Sequence, residues 1–210
     1  AAVEGAAATS LIGRQTHTAM TDTNIDEKTG GKNSALTVSA TNSGKSYNTA
    51  LVIAVSGTAS VGAAVAVDND SSDADALISG GTLNVGNLSL AALSSNDIMT
   101  IGAGGAASTA TGIAGSVGVN VLTGNTTAKV DNGAKITADK HVMIAAQSDD
   151  AVNDLVGLVQ AGEAGVSAGV SVGVNTIAGS TEALVDGKDT QITAGGNGDA
   201  AKLSDKQADT

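Results

Sequence analysis

The sequence predicts an all-β fold, a parallel β-solenoid of about three and a half repeats of roughly 55 residues each. Three observations predict it. Apolar residues alternate with small ones over long runs, the same anchor motifs return in the same order, and bulky core-forming side chains are scarce. An antiparallel β-sandwich is the alternative, because Asn-Gly and Asp-Gly pairs also suit hairpin turns.

The alternation is plainest in GVSAGVSVGVNTIAGSTEALVDG, residues 165–187. Val166, Ala168, Val170, Val172 and Val174 fall on one face of a strand, and Ser167, Gly169, Ser171, Gly173 and Asn175 on the other. Val117, Val119 and Val121 oppose Ser116, Gly118 and Asn120 in the same way. So do Val61, Ala63, Val65 and Val67 against Gly62, Ala64 and Ala66. A period of two is the strand signature. A helix would carry these glycines in its interior at a cost of about 1 kcal/mol each. Shorter strands are expected at Ala183–Val185, Gln191–Thr193 and Val142–Ala145, with turns at Gly80-Gly81, Asn132-Gly133 and Asp186-Gly187.

Three anchors define the repeat. SVGVN stands at Ser116 and again at Ser171, and a looser copy, SVGAA, begins at Ser60. ADALIS around Ala76, TTAKVD around Ala128 and TEALVD around Ala183 form the second, with HTAMTD near the N-terminus as a worn copy. LTVSATNS at Leu36, LSLAALSS at Leu88 and VMIAAQSD at Val142 form the third. Strands this short imply two or three coils per repeat, equivalent residues stacking from coil to coil into a rod. The valine face would fill a narrow interior, so Val65, Val119, Val172, Ile136, Ile144 and Ile192 are expected to point inward. One domain spans residues 1–196, in units of approximately 1–49, 50–97, 98–154 and 155–196. Residues 197–210 read as a polar tail or a cut end.

Composition narrows the function classes. The 28 glycines, the absence of Pro and the single aromatic, Tyr47, fit a uniform narrow coil. Without cysteine there is no disulfide framework and no Cys-based metal or redox site. A net charge of −11 argues against nucleic acid, whose phosphates require Lys and Arg. No apolar run approaches the ~18 residues of a membrane helix, so direct membrane insertion is not expected. The start AAVEG, with neither initiator Met nor signal peptide, reads as a mature fragment or a piece of something longer.

Units such as SVGVNTIAGSTEALVDG, and KITADKHVMIAAQSDD in the preceding copy, resemble the repeats of large type V secreted adhesins of Gram-negative bacteria. These include haemagglutinin-like autotransporter passengers and fusobacterial adhesin and leukotoxin-type repeats. The similarity covers roughly residues 1–196 and rests on low-complexity, Val/Gly-rich motifs of moderate specificity. It implies a right-handed parallel β-helix at the cell surface, anchored to the outer membrane through parts not in this chain. It also implies attachment to a host or bacterial surface protein or glycan. The family brings no shared catalytic residues, so none is assigned.

Five motifs invite sharper readings. GVSAG at Gly165–Gly169 fits the G-x-S-x-G nucleophile elbow, but Ser167 lies inside an uninterrupted alternating run and no His follows it. GGNGDA at Gly195–Ala200 approximates a calcium-binding repeat, with Asp199 one place early and only one copy. DNDSSDAD at Asp68–Asp75 reads as a four-residue insertion on a loop, since Ser60 to Ala76 exceeds the spacing in later copies. Its Asp68, Asp70, Asp73 and Asp75 offer the hard oxygens Ca²⁺ takes, against the plainer reading of a solvated acidic loop. His17 and His141 are isolated and read as surface residues. Sequons at Asn69, Asn87 and Asn125 would matter only in a eukaryotic secretory pathway.

Repetition without a unique polar constellation points to a structural and adhesive segment, with no cofactor and no catalysis of its own. A polysaccharide-active β-helix enzyme is the lesser alternative; it needs clustered carboxylates with Arg or Lys in a groove, and Arg14 is the only Arg. A self-assembling filament, joined through solenoid ends, is the other, since uncapped end coils are unpaired edges.

Overall fold

The computed structural model describes residues 1–27, 34–162 and 165–196. They form strands β1 (Ala2–Thr21), β2 (Asn24–Asp26), β3 (Ala35–Ser56), β4 (Ala59–Ser79) and β5 (Thr82–Ser108). After these come β6 (Thr111–Asp131), β7 (Lys135–Ala161), β8 (Val166–Val185) and β9 (Gln191–Ala194). All pairings are parallel. One sheet, A, runs β1-β4-β6-β8; the other, B, runs β2-β5-β7-β9, with β3 in line with β2 beside β5. This is a parallel β-solenoid, and the antiparallel sandwich is overturned.

Each repeat makes one coil, not two or three: a long strand in sheet A, a corner, a long strand in sheet B, and a second corner. Of the expected short strands, Gln191–Thr193 stands as the short β9, while Val142–Ala145 and Ala183–Val185 merge into runs of 27 and 20 residues. The chain has no Pro, and each rung's backbone finds its ladder on its neighbours, with one register shift between Val85 and Asn87 on β5. At ~3.3 Å per residue a 21-residue strand spans about 70 Å, while each coil adds only about 4.8 Å of height. The long axis therefore runs along the strands, across the solenoid, and the expected rod is instead a broad slab.

The anchors stack as aligned: Ala76 on Ala128 on Ala183, and Leu36 on Leu88 on Val142. HTAMTD joins the second anchor, with Thr18 beside Ala76. The corners from A to B are the expected turns, held in the left-handed region by Gly80 and Gly81 (φ 67° and 77°) and by Asn132 and Gly133 (φ 54° and 73°). The ladder continues around them, Asp22 N donating to Ser79 O (2.8 Å) and Gly80 N to Asp131 O (3.0 Å).

One anchor is misplaced by the sequence reading. Ser60 pairs with Gly112, and Ala64, four residues on, pairs with Ser116. VAVD (65–68) is thus the counterpart of VGVN (117–120), and the acidic stretch is no insertion. Asp68–Asp75 lies within strand β4, where a loop was expected.

The interior changes along the strands. Toward the Gly80, Asn132 and Asp186 corners, Ile78, Leu83, Leu88, Leu90, Val130 and Ile136 fill it, and Ile144 and Ile192 pack against this cluster as expected. Toward the opposite corners, at 57–58 and 109–110, the inward residues are Ala50, Val52, Ala64 and Ala66, with glycines beside them. There the sheets nearly touch: a methyl on Gly62 would strike the Gly105 carbonyl, and one on Gly104 the Gly115 carbonyl. Sheet B already fills what space remains with Val52, Val156 and Leu158, so no row of valines from sheet A fits inside as well. The expected inward placement of Val65, Val119 and Val172 is therefore reversed. Val65 and Val172 are 39% and 43% exposed, Val119 is half-buried, and the Gly/Ala/Ser face points inward.

Candidate functional site

Between the thick apolar end and the thin end lies a polar layer that bridges the two sheets. Inward positions on sheet A supply Ser10, Arg14, Asp68, Asp70 and Asn120; those on sheet B supply Ser46, Asn48, Asn96, Thr100 and Asp150. Arg14 Nη2 donates to Asp70 Oδ2 (2.6 Å) and to Asn96 Oδ1 (2.8 Å). Asn96 Nδ2 donates to Asp150 Oδ1 (2.7 Å), whose other oxygen accepts from Ser148 Oγ (2.7 Å). Ser46 Oγ donates to Asp68 Oδ2. Thr100 Oγ1 donates to Asn120 Oδ1, and Asn120 Nδ2 to Asn175 Oδ1 (2.7 Å) one rung on.

Asp68 and Asp70 are 0% and 1% exposed. Burial pushes the Asp70 carboxyl above its ordinary 3.8; Arg14 pulls it back, and the neighbouring carboxylates Asp68 and Asp150 push it further up. The second oxygens of both Asp68 and Asp70 are buried without a hydrogen-bond partner. Asp154, inward on β7 below Thr100, has both oxygens buried without a partner, and burial raises its pKa as well. Beside this layer a cavity of about 100 Å³ is lined by Ser72, Ser94, Asn96, Thr126 and Asp150. Leu122, Ile177 and Ala178 line it too, so the lining is part polar and part apolar.

Strand geometry splits the four acidic candidates. Asp68 and Asp70 point into the polar layer, whereas Asp73 and Asp75 face outward, Asp73 Oδ1 accepting from Asn125 N (2.9 Å). Among the described residues, no three His, Asp or Glu side chains converge to hold a metal ion. Ser167 sits on the inward face of β8, within its alternating run. His17 is exposed on β1 beside Asp75, and His141 is half-buried on β7 beside Asn87. Most of the GGNGDA motif and the 197–210 tail lie outside the described residues.

The Arg14 cluster was missed from sequence, although a signal for it existed. Counting back from the second anchor, Arg14 stands four residues before Thr18 and Ser72 four before Ala76, so Arg14 lies on Ser72 and beside Asp70. The same count stacks Asp68, Asn120 and Asn175. This is the clustering of carboxylates with Arg that the enzyme alternative asked for, but it lies between the sheets and not in a groove.

The other candidate surface is the outside of the thin end. On sheet A its columns are Val61–Ile113–Ala168, Val65–Val117–Val172 and Val67–Val119–Val174. On sheet B, Leu51, Ile53, Val55, Leu155 and Val159 are exposed. Exposed apolar patches of this extent mark contact surfaces. Among the described residues no helix is long and apolar enough to cross a membrane. Comparison with family models, curated proteins and solved structures gave no match.

Proposed function

We propose that this chain is a structural and adhesive segment of a bacterial cell-surface protein, of the type V secreted kind its repeats resemble. It holds a broad, rigid surface outside the cell and carries out no reaction. The observation behind this is that each repeat is one coil, hydrogen-bonded to the next along nearly its whole length. A coil adds little height but presents a full row of outward side chains on each sheet, so the repeat multiplies contact area more than reach. The contact partner is a surface protein or glycan of a host cell or of another bacterium.

Beads coated with the chain are expected to adhere saturably to host cells or to bacteria, and soluble chain should compete them off. Retention no better than that of albumin-coated beads on both cell types would remove the adhesive reading.

A second reading, a self-assembling filament joined end to end, draws on the edges of β1 and β8. Among the described residues, each pairs on one side only. Electron microscopy at rising concentration separates the two: the filament reading requires fibres growing along the solenoid axis.

A further inference from the structure

The outer face of sheet A at the thin end is four rungs high and mainly apolar, with Thr9 of β1 the polar member of its central columns. Its centre is the pair of columns Val65–Val117–Val172 and Val67–Val119–Val174, and no charged residue stands in them. We infer that this face is a dimerisation surface, packed against the same face of a second copy of the chain across a twofold axis.

Area is the first support. Four rungs at ~4.8 Å and five outward columns at ~6.6 Å give about 600 Å² per copy, or about 1,200 Å² for the pair. That reaches the lower bound of a specific interface. Shape is the second. Gly5, Ala63 and Gly115 stack into one shallow column between the ridges Val61–Ile113 and Val65–Val117–Val172. The Val65–Val117–Val172 ridge of one copy therefore has a groove to enter on the other, as in two sheets stacked about 10 Å apart.

Charge is the third. The chain carries −11, yet Asp73, Asp75, Asp131 and Glu182 all lie on sheet A away from these valines. A twofold through the thin end points the two acidic regions in opposite directions, separated by more than the ~8 Å over which exposed charges interact. The edges supply the last argument. β1 and β8 each leave one row of backbone groups unpaired among the described residues. Those groups are not tolerated in hydrocarbon, which favours protein over lipid as the cover.

The inference stands apart from adhesion to a foreign partner and from end-to-end growth. Sedimentation velocity of the full chain from about 1 to about 300 µM should show monomer giving way to dimer, with a micromolar Kd. Val65→Lys with Val117→Lys should weaken the dimer at least tenfold while circular dichroism stays unchanged. Ile53→Lys, on the outer face of sheet B, should leave it intact. If the lysine pair unfolds the chain, Val65→Thr with Val117→Thr keeps the shape and should still weaken the dimer. A monomer at every concentration overturns the inference, as does open-ended growth that the lysine pair leaves unchanged. So does a dimer lost only with Ile53→Lys, or flotation of the wild-type chain with phosphatidylcholine vesicles that the lysine pair abolishes.

Discussion

The two ends of the slab apply opposite rules to the same β-pattern. At the thick end Leu88, Leu90, Val130 and Ile136 are inside. Outside stand polar groups such as Lys129, paired at 2.9 Å with Asp131, whose carboxyl it holds below the ordinary range. At the thin end Ala64, Ala66 and Gly104 are inside, while Val65, Ile113 and Ile53 are outside. Sheet separation is the difference. Where the sheets stand apart, bulk is drawn in by the gain of burying it; where the backbones nearly touch, sheet A brings in only Gly, Ala and Ser against Val52 and Leu158 of sheet B. Close packing outranks hydrophobicity there, and the valines are left for another surface to cover.

The sharpest test sets neighbours on β4 against each other. Ala66 is 0% exposed and Val65 is its outward neighbour. Ala66→Asp should place an unpaired charge between the sheets and cost more than about 4 kcal/mol in urea unfolding. Val65→Asp should cost within about 1 kcal/mol. Equal losses would mean that the outer face is already covered in the monomer, or that the interior is not where it is placed here.

Volume changes probe the same contrast from both sides. Leu90→Ala, at the thick end, should lose about 2–5 kcal/mol to a cavity. Gly104→Ala, at the thin end, should lose about 1–3 kcal/mol to the opposite fault, a methyl pressed on the Gly115 carbonyl. Shrinking harms one end and growing harms the other. A neutral Gly104→Ala would show that the sheets part easily and would weaken the account of why valine is excluded.

The contrast also explains what the sequence could reveal. Alternation and the recurring anchors are local and periodic, so the strands, the solenoid and the stacking of Ala76, Ala128 and Ala183 were legible. Which face lies inside depends on the distance between two sheets, a tertiary quantity that alternation does not encode. The rule that bulk goes inward predicted Ile136, Ile144 and Ile192 and failed for Val65, Val119 and Val172. The acidic insertion was misread for a related reason. Sliding an alternating run by four residues leaves its faces unchanged, so SVGAA matched SVGVN as a motif while the true partner lay four residues on. With that slip corrected, the columns holding Arg14, Asp68, Asp70 and Asn120 follow by counting.

Asp154 gives the smallest expected effect, and its direction is the informative part. It sits where the polar layer meets the thin end, facing Gly118 and Gly173, whose missing side chains leave it room. Its oxygens have no hydrogen-bond partner, and burial raises its pKa above 3.8. The folded chain therefore holds this proton more tightly than the unfolded chain does. The favourable contribution is full below pH 3.8 and is lost as pH rises through the folded value, leaving a constant penalty at neutrality. Asp154→Asn removes the charge at similar size and should stabilise the protein by about 1 kcal/mol at pH 7. That gain should shrink on acidification and vanish below about pH 3.8, where the wild-type carboxyl is itself neutral. Asp70 titrates in the same direction in both proteins, so the difference between their urea midpoints isolates residue 154. A variant less stable at pH 7, or a gain unchanged by pH, would show that Asp154 has a partner when folded and that the polar layer extends further into the thin end.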